Sequence, residues 1–168
     1  MVVFHSSRKP AVIPAEDNPE HQRRAYEGGD NVYRQDGLAA AGFDSDAPAV
    51  AASTGVSMYL TREANAATLL QLAALPHGST VAVTFQPPRE YLDEQDLPGR
   101  LIAERGAAAS GTPFISFFAP DEFLAMARDA GFKYVRHVSN AALRDRYFAG
   151  RPDGLRPSTG EDFLLATT

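Results

Sequence analysis

The sequence predicts an α/β fold in which parallel strands end in an antiparallel pair at one edge of the sheet. Residues 47–56 and 79–85 form two short apolar runs, which are typical of strands buried on both faces. The helical segment between them favours a right-handed parallel crossover. Near the end of the chain, residues 132–138 and 163–166 have strand patterns with no long helix between them, which favours antiparallel pairing.

The helix between the first two strands has a clear start, an apolar face and a clear end. Thr61 is a good N-cap, and Glu63 places a negative charge in the first turn, where the helix dipole favours it. His77 and Gly78 end the helix, and Pro87 ends the strand that follows, because proline cannot donate to a ladder. One apolar stripe is predicted, made of Ala66, Leu69, Leu70, Ala73 and Ala74.

The second half of the chain predicts further helices around the sheet. Residues 89–109 form a charged, mostly helical excursion. Pro120 suits the first position of another helix, which Gly131 ends. A short helix at residues 140–147 and a loop rich in glycine and proline lead to the last strand. The acidic residues of the excursion predict a solvated face: Glu90, Asp93, Glu94 and Asp96.

Residues 1–37 differ in composition from the rest of the chain. They contain many charges and several prolines and glycines, with almost no apolar periodicity. Such a segment cannot bury enough apolar surface to offset its ordering entropy, so we expect a disordered or poorly ordered arm. Gly28, Gly29 and Asp30 predict a flexible turn rather than a phosphate loop, because no predicted strand precedes them and no helix follows.

Composition excludes several classes of partner and chemistry. The chain of 168 residues has 16 basic and 21 acidic residues, a net charge of -5 and no concentrated basic face, which argues against nucleic acid as a partner. The absence of cysteine excludes disulfides, thiolate zinc sites and cysteine nucleophiles. No apolar run approaches the ~20 residues that a membrane span needs, and the start lacks a signal-peptide pattern. We therefore expect a cytoplasmic protein with no membrane partner.

Two further kinds of site are not indicated. His77 and His137 stand apart from other metal-ligand types, so no metal site is predicted. Neither a Gly-x-Ser-x-Gly motif nor a pair of spaced carboxylates that would favour a hydrolase is found.

Four segments carry more specific motifs. They are LAAAGFD at residues 38–44, TGVSMYLTREA at 54–64, ISFF at 115–118 followed by Pro120, and RYFAGRPDGLRP at 146–157. Together with the strand order, these segments resemble the leucine carboxyl methyltransferase-like family of bacterial S-adenosylmethionine-dependent methyltransferases. The resemblance covers residues 38–168, which would form the C-terminal half of a Rossmann-like class I domain, and it does not extend into residues 1–37.

This resemblance implies a cofactor and a reaction. The cofactor is S-adenosylmethionine, and the reaction is O-methyl transfer to a small-molecule or carboxylate-bearing acceptor. Transfer is an in-line displacement at a sulfonium methyl group, to which an enzyme contributes mostly alignment and desolvation, and sometimes a base. Binding is expected at the carboxyl ends of the parallel strands. No catalytic residue is identified.

The residues at these strand ends are the candidate site. Ser53, Thr54 and Gly55 are candidates for contact with the cofactor, with strand-end packing as the alternative. A small residue at Gly55 lets the backbone approach the methionine end of the cofactor. Tyr59 is a candidate for the substrate pocket, with a role as a core anchor as the alternative.

Further candidates lie on the acceptor side. Phe85 ends the strand near which the acceptor approaches, and Arg151 is a candidate to grip an acidic substrate. For Arg151 and Arg156 the alternative is pairing with a carboxylate such as Asp153. The family tends to place a carboxylate near Thr84, so threonine there weakens any acid–base proposal.

The resemblance also implies features that are not found before Leu38: a glycine-rich cofactor loop and an acidic residue that binds the ribose. Without the strands that carry them, one edge of residues 47–56 would be open, which favours aggregation unless something pairs with it. We therefore expect a truncated methyltransferase that depends on a complementing half-domain or on homo-oligomerisation. The alternative is a non-catalytic remnant or interaction module that pairs through its open sheet edge.

Overall fold

The computed structural model describes residues 2–6, 9–12 and 43–168, which contain one mixed sheet. Its strands are, in chain order, β1 (Val2–Ser6), β2 (Lys9–Val12), β3 (Ala49–Ser53), β4 (Thr80–Phe85), β5 (Tyr134–Val138) and β6 (Asp162–Thr167). Across the sheet, hydrogen-bonded neighbours follow the order β2-β1-β3-β4-β6-β5. The α/β fold class predicted from the sequence is confirmed.

Helices connect the strands and cover the sheet. They are α1 (Arg62–Ala73), α2 (Leu97–Ala109), α3 (Pro120–Asp129) and α4 (Asn140–Leu143), which continues into one π-helical turn at Arg144–Phe148. Short 3-10 turns lie at Ser57–Tyr59, Arg89–Tyr91 and Glu94–Asp96. As predicted, α3 begins at Pro120, and Gly131 follows it with a positive φ of 107°. None of the helices in the described part of the chain is long and apolar enough to cross a membrane.

The strands β3 and β4 are parallel neighbours joined through α1, as the sequence predicts. Val50 pairs with Thr80, and Ser53 pairs with Val83. At the start of α1, the Thr61 hydroxyl accepts a hydrogen bond from the Ala64 amide at 3.2 Å, which satisfies one of the free donors of the first turn. The predicted parallel unit is therefore confirmed.

The buried face of α1 differs from the predicted stripe. Asn65, Thr68, Leu69 and Leu72 are buried, whereas Leu70 is 60% exposed. The predicted stripe was right at Leu69 and wrong at Leu70, because small apolar residues occur on several faces of this alanine-rich helix. Apolar spacing alone then leaves the choice of buried face to tertiary packing.

Strand β6 lies between β4 and β5 and is antiparallel to both. Phe85 of β4 pairs with Asp162, and Val138 of β5 pairs with Phe163. The predicted antiparallel pair is confirmed, with β5 at the sheet edge. Buried and half-buried residues alternate along β6, as expected for a strand with one fully covered face.

The core lies between one face of the sheet and the helices α1 and α3. Phe123 of α3 is fully buried between Phe85 and Phe118, with ring centroids 4.8 Å away on each side. Aliphatic side chains fill the surrounding space, including Ala51, Leu69, Leu72, Val81, Val83, Leu164 and Ala166. This packing fixes α3 against the sheet.

An antiparallel hairpin of β1 and β2 lies on the outer edge of β3. Val2 pairs with Ser53 and Ser6 with Ala49, so β1 follows β3 over its whole length. The structure thus differs here from the expected poorly ordered arm and open β3 edge. Local periodicity gave no indication of these strands, because short strands that pair across a long sequence separation carry little pattern of their own. The remainder of residues 1–37, with the turn predicted at its glycines, lies outside the described residues.

Replacing Phe123 by alanine should destabilise the protein by about 3–5 kcal/mol, because it removes a ring that packs between two others in a closed core. Urea unfolding followed by circular dichroism measures this change. Ile102→Ala is the matched control: Ile102 is 65% exposed on α2, and its substitution should change the free energy of unfolding by less than about 0.5 kcal/mol. Equal effects of the two substitutions would contradict the assigned core.

Candidate functional site

The predicted site residues lie at one edge of the sheet, here called the carboxyl edge. β3 and β4 run in parallel and end at Ser53 and Phe85, so both strands finish on the same side. β6 begins at this side, because Asp162 pairs with Phe85, and β5 ends there. In open α/β sheets, ligands bind outside the carboxyl ends of the strands.

A hydrogen-bonded turn follows β3 and is fixed to β4. Gly55 has a φ of 68°, which favours glycine, and its amide donates to the Thr84 hydroxyl at 2.8 Å. The Ser57 hydroxyl donates to the Thr84 carbonyl at 2.8 Å. Thr84 is buried, so its hydroxyl holds the turn in place. The threonine at this position has a structural task, which the sequence alone did not reveal.

The amide of Asn65 organises the next stretch of chain. Its Nδ2 lies 3.0 Å from the Ser57 carbonyl, 3.2 Å from that of Leu60 and 3.0 Å from that of Thr61. Asn65 is buried on α1 and connects the helix to the turn after β3. Sequence reasoning missed this residue, although a polar residue one helical turn before Leu69 on the buried face is a recognisable indication of such a role.

An extended segment after α2 covers the turn. The Ile115 amide donates to the Met58 carbonyl at 2.8 Å, and the Ser116 hydroxyl donates to the Leu60 carbonyl at 2.5 Å. This segment forms a second layer over the carboxyl edge. Its hydrogen bonds hold the ISFF motif close to the turn, although the two are far apart in sequence.

The candidate pocket residue Tyr59 lies in the turn that this segment covers. Its ring meets Phe114 edge to face, with centroids 5.2 Å apart and an interplanar angle of 77°. Tyr59 is partly exposed. Phe85, in contrast, is fully buried beneath the edge, where its ring packs against Phe123 and supports the edge from the core side.

Two buried acceptor oxygens at the carboxyl edge have no hydrogen-bond partner among the described residues. They are Oε1 of Gln86 and Oε1 of Glu161. Because Phe85 pairs with Asp162, these two residues occupy the next opposed positions beyond the β4–β6 ladder. Unpaired buried acceptors are costly, so this point of the edge favours a hydrogen-bond donor.

A buried arginine, which sequence reasoning missed, joins α2 to the carboxyl edge. Arg100 Nη1 donates to the Gly160 carbonyl at 2.9 Å, and Nη2 donates to the Pro87 carbonyl at 3.3 Å. Its Nε donates to Glu104 at 2.9 Å, and its guanidinium lies over the Phe117 ring at 4.9 Å. Burial lowers the pKa of Arg100, against the opposing effect of Glu104. The spacing of Arg100 and Glu104, four residues apart on a helix, was the available indication.

The candidate Arg151 lies in the loop before β6 and pairs with a neighbouring carboxylate. Its Nε and Nη2 donate to the two oxygens of Asp153 at 2.9 and 2.5 Å. Both side chains are about half exposed. The hydrogen bonds from Arg151 hold the pKa of Asp153 below its ordinary value. Arg151 therefore pairs with Asp153, which is the alternative to substrate binding that the sequence left open.

Arg156 anchors the same loop to the start of α2. Its Nη2 and Nη1 donate to the two oxygens of Asp96 at 2.6 and 3.0 Å. The amide and hydroxyl of Thr159 also donate to Asp96, at 2.9 and 2.8 Å. The hydrogen bonds from Arg156, with those from Thr159, hold the pKa of Asp96 well below its ordinary value against the effect of burial. The prediction that Asp96 belongs to a solvated face was therefore wrong.

At the end of β5, His137 is held by a buried carboxylate. His137 Nε2 lies 2.8 Å from Asp162 Oδ2, while Asp162 Oδ1 accepts from the amide and the side chain of Asn140 at 3.1 and 2.8 Å. These contacts fix the start of α4 to β6. Among the described residues, no group of three or more histidine or acidic side chains is placed to hold a metal ion.

Replacing Thr84 by valine should release the turn after β3, because the Gly55 amide loses its acceptor while the side-chain volume is kept. The expected loss in free energy of unfolding is about 1 kcal/mol. Hydrogen exchange should speed up at the amide of Gly55 and leave the β4 amides unchanged. Thr80→Val, at the other end of the same strand, is the control, and similar exchange in both variants would contradict this role of Thr84.

The Asp96 network should give a pH-dependent contribution to stability. Because its pKa is lowered in the folded state, Asp96 stabilises the fold above about pH 4, the ordinary value of an aspartate, and this contribution disappears as the pH falls further. Asp96→Asn should therefore lower the urea midpoint at pH 7. The difference in urea midpoint between this variant and the unchanged protein should become smaller below pH ~4. Asp153→Asn, which changes an exposed pair, should have little effect at either pH. A difference in urea midpoint that stays constant with pH would refute the stabilising role of the ionised Asp96.

Comparisons with known proteins find similarity in part of the chain. Residues 29–73 match the family model of leucine carboxyl methyltransferase, a match that begins before Leu38 and includes the turn after β3. A putative S-adenosyl-L-methionine-dependent methyltransferase of Bacillus subtilis (strain 168), YktD, is 32% identical over 108 residues. These residues are 60% of this chain and 34% of that protein, so the chain spans about a third of the length of this relative.

Two solved structures are also similar. A possible exported protein from Bordetella parapertussis has a TM-score of 0.47 and 15% identity, with 70% of this chain and 37% of that chain covered. A DUF574 family protein from Streptomyces avermitilis has a TM-score of 0.48 and 17% identity, with 74% and 46% covered. In its matched segments, the chain is therefore similar to the leucine carboxyl methyltransferase family and to one S-adenosyl-L-methionine-dependent methyltransferase relative.

Proposed function

We propose that this chain contributes the distal half of the sheet of an S-adenosylmethionine-dependent O-methyltransferase and that the cofactor binds at the carboxyl edge beside Gly55. The observation that carries the proposal is the turn after β3. This turn follows the end of the parallel strand β3 at the carboxyl edge and contains a glycine with positive φ. It is fixed to the neighbouring parallel strand β4 through Thr84. The same turn lies within the segment that matches the family.

Gly55 is suited to close approach of a ligand. A Cβ atom built at this position would meet nothing within 4 Å, so the space beside the backbone is free of described protein atoms. Ser53 and Thr54 precede it and would share the contact with the methionine end of the cofactor. S-adenosylmethionine supplies an activated methyl group, and the task of these residues is to align it with the acceptor oxygen and to exclude water.

The remaining cofactor contacts must come from elsewhere. In the part of the chain that the structure describes, no glycine-rich turn opens a helix, and no carboxylate ends a strand next to β3. The described residues therefore fit only one end of S-adenosylmethionine. The proposal includes a truncated domain whose adenosine-binding part is supplied by a complementing half-domain or by another copy of the chain.

The acceptor side of the proposal rests on the unpaired oxygens of Gln86 and Glu161. Both are hydrogen-bond acceptors at the carboxyl edge, which is the arrangement needed to orient a hydroxyl group for methylation. Arg151 and Arg156 are already paired with carboxylates. Because both arginines are already paired, a methyl acceptor with a hydroxyl group fits the carboxyl edge better than a methyl acceptor that would need to be bound by an unpaired arginine.

Isothermal titration with S-adenosylmethionine and with S-adenosylhomocysteine tests this function. Because the described residues fit only one end of the cofactor, the purified chain is expected to show binding that is measurable at up to millimolar ligand. Gly55→Ala should weaken it by about tenfold or more, because the strain of a left-handed alanine is of the order of 1–3 kcal/mol and displaces the turn. Gly131→Ala is the matched control, since Gly131 also has a positive φ and free space around it but lies at the opposite edge of the sheet.

Equal loss of affinity in both variants, with equal loss of stability, would show that the Gly55 effect is one of folding alone. No binding at millimolar ligand would refute a cofactor site on the isolated chain and would support the alternative of a non-catalytic interaction module.

A further inference from the structure

The sheet has a second face, opposite the core, and part of this face forms a groove. Because side chains alternate along a strand, Ala82 of β4 and both Phe163 and Leu165 of β6 lie on the face away from α1 and α3. Leu165 pairs with Ala82 on one side and with Arg136 of β5 on the other, so these residues lie side by side. The groove between these strands and the turn Arg144–Phe148 has a volume of about 280 Å³ and is here called the rear groove.

The outer wall of the rear groove is formed by α4 and the π-helical turn that follows it. Leu143 and Tyr147 line the groove from this side, and Tyr147 is 61% exposed. Small-molecule sites are typically concave and mostly apolar, with a few polar groups and a volume of about 300–1,000 Å³. The rear groove has an apolar floor and wall and lies near the lower end of this size range.

Two arginines at the rear groove have no carboxylate partner. Arg136 and Arg146 both line the groove and are exposed, and neither makes an ion pair with a residue that the structure describes. The guanidinium of Arg146 lies over the Tyr147 ring instead, 5.4 Å from its centroid. A guanidinium binds a carboxylate through two parallel hydrogen bonds, so unpaired arginines beside an apolar floor favour an apolar ligand that carries a carboxylate.

A larger groove, between α1 and α3, has the opposite charge. Its volume is about 550 Å³, and it is lined by several alanines and the exposed Leu70. The arginine that lines it, Arg62, is paired with Glu122 at 2.5 Å, and Asp129 adds a negative charge. A carboxylate is disfavoured there, so charge rather than volume distinguishes the two grooves.

We propose that the rear groove is a binding site for a small carboxylate with an apolar body, such as an arylalkanoate, and that Arg136 and Arg146 supply the positive charge that recognises it. The apolar body covers Ala82, Phe163 and Leu165 and removes their exposed surface from water. None of the residues that line the rear groove belongs to the turn at Gly55, so occupation of this site does not require S-adenosylmethionine.

Nuclear magnetic resonance titration of the isotope-labelled protein with phenylbutyrate tests this site. Phenylbutyramide, which has the same carbon skeleton without the charge, is the matched probe. Phenylbutyrate should bind about tenfold more tightly than the amide, because only the carboxylate forms charged hydrogen bonds with the arginines. The largest changes in chemical shift should occur at the backbone amides of Phe163 and Leu165.

Three results of this titration would overturn the proposal. Equal affinity for the two probes would overturn recognition of a carboxylate. Shift changes confined to α1 and α3 would place the ligand in the larger groove. No binding at millimolar phenylbutyrate would overturn the site itself.

Substitution of the arginines tests their role. Arg136→Gln and Arg146→Gln should each weaken phenylbutyrate binding by about tenfold and leave the affinity for phenylbutyramide unchanged. Arg128→Gln is the matched control, because Arg128 is an exposed arginine of α3, on the core side of the sheet. An equal loss of affinity in the control would show diffuse attraction by positive charge alone and would overturn the assigned arginines.

A larger side chain in the floor tests the position of the apolar body. Ala82→Leu should fill part of the rear groove and weaken binding of both probes by about tenfold or more. Ala125→Leu, which adds the same volume to the larger groove, should leave both affinities unchanged. Circular dichroism should show the same secondary structure for all variants. Unchanged binding by a folded Ala82→Leu protein would overturn the site.

Discussion

The hydrogen bonds between Thr84 and the turn after β3 are the interaction on which the carboxyl edge depends. Two parallel strands place their ends side by side, but they do not by themselves fix the chain that leaves them. The Thr84 hydroxyl and carbonyl do this by binding Gly55 and Ser57. Asn65 then extends the same order to the start of α1. The candidate cofactor contact is therefore anchored to β4 by two hydrogen bonds.

The parts of the fold that could be predicted are those with a local pattern. The parallel unit of β3, α1 and β4 follows from two apolar runs and a capped helix, and the terminal pair follows from two strands without a long crossover. The β1–β2 hairpin could not be predicted in this way, because its stability comes from pairing with β3, which lies more than forty residues later than β1. The phase of α1 also depended on packing, since alanines leave several faces equally apolar.

The candidate site was predictable in its position but not in its supporting contacts. The position of Ser53, Thr54 and Gly55 at the carboxyl edge could be predicted, because the sequence shows both the end of a strand and the glycine that follows it. The tasks of Thr84 and Arg100 are not visible there, because each depends on a partner that is distant along the chain: Gly55 for one and Gly160 for the other. From the sequence, Asp96 is one of several acidic residues predicted at the surface. Its partner Arg156 lies sixty residues later, so their pairing is seen only in the structure.

The central position of β6 has a consequence for the order in which the protein forms. β5 pairs with the sheet only through β6, and β6 contains residues 162–167, which the ribosome adds after the other five strands described here. Until they emerge, one side of β4 has no neighbouring strand, and β5 has no strand with which to pair. During synthesis the backbone groups on that side of β4 therefore stay unpaired until the sixth described strand is complete.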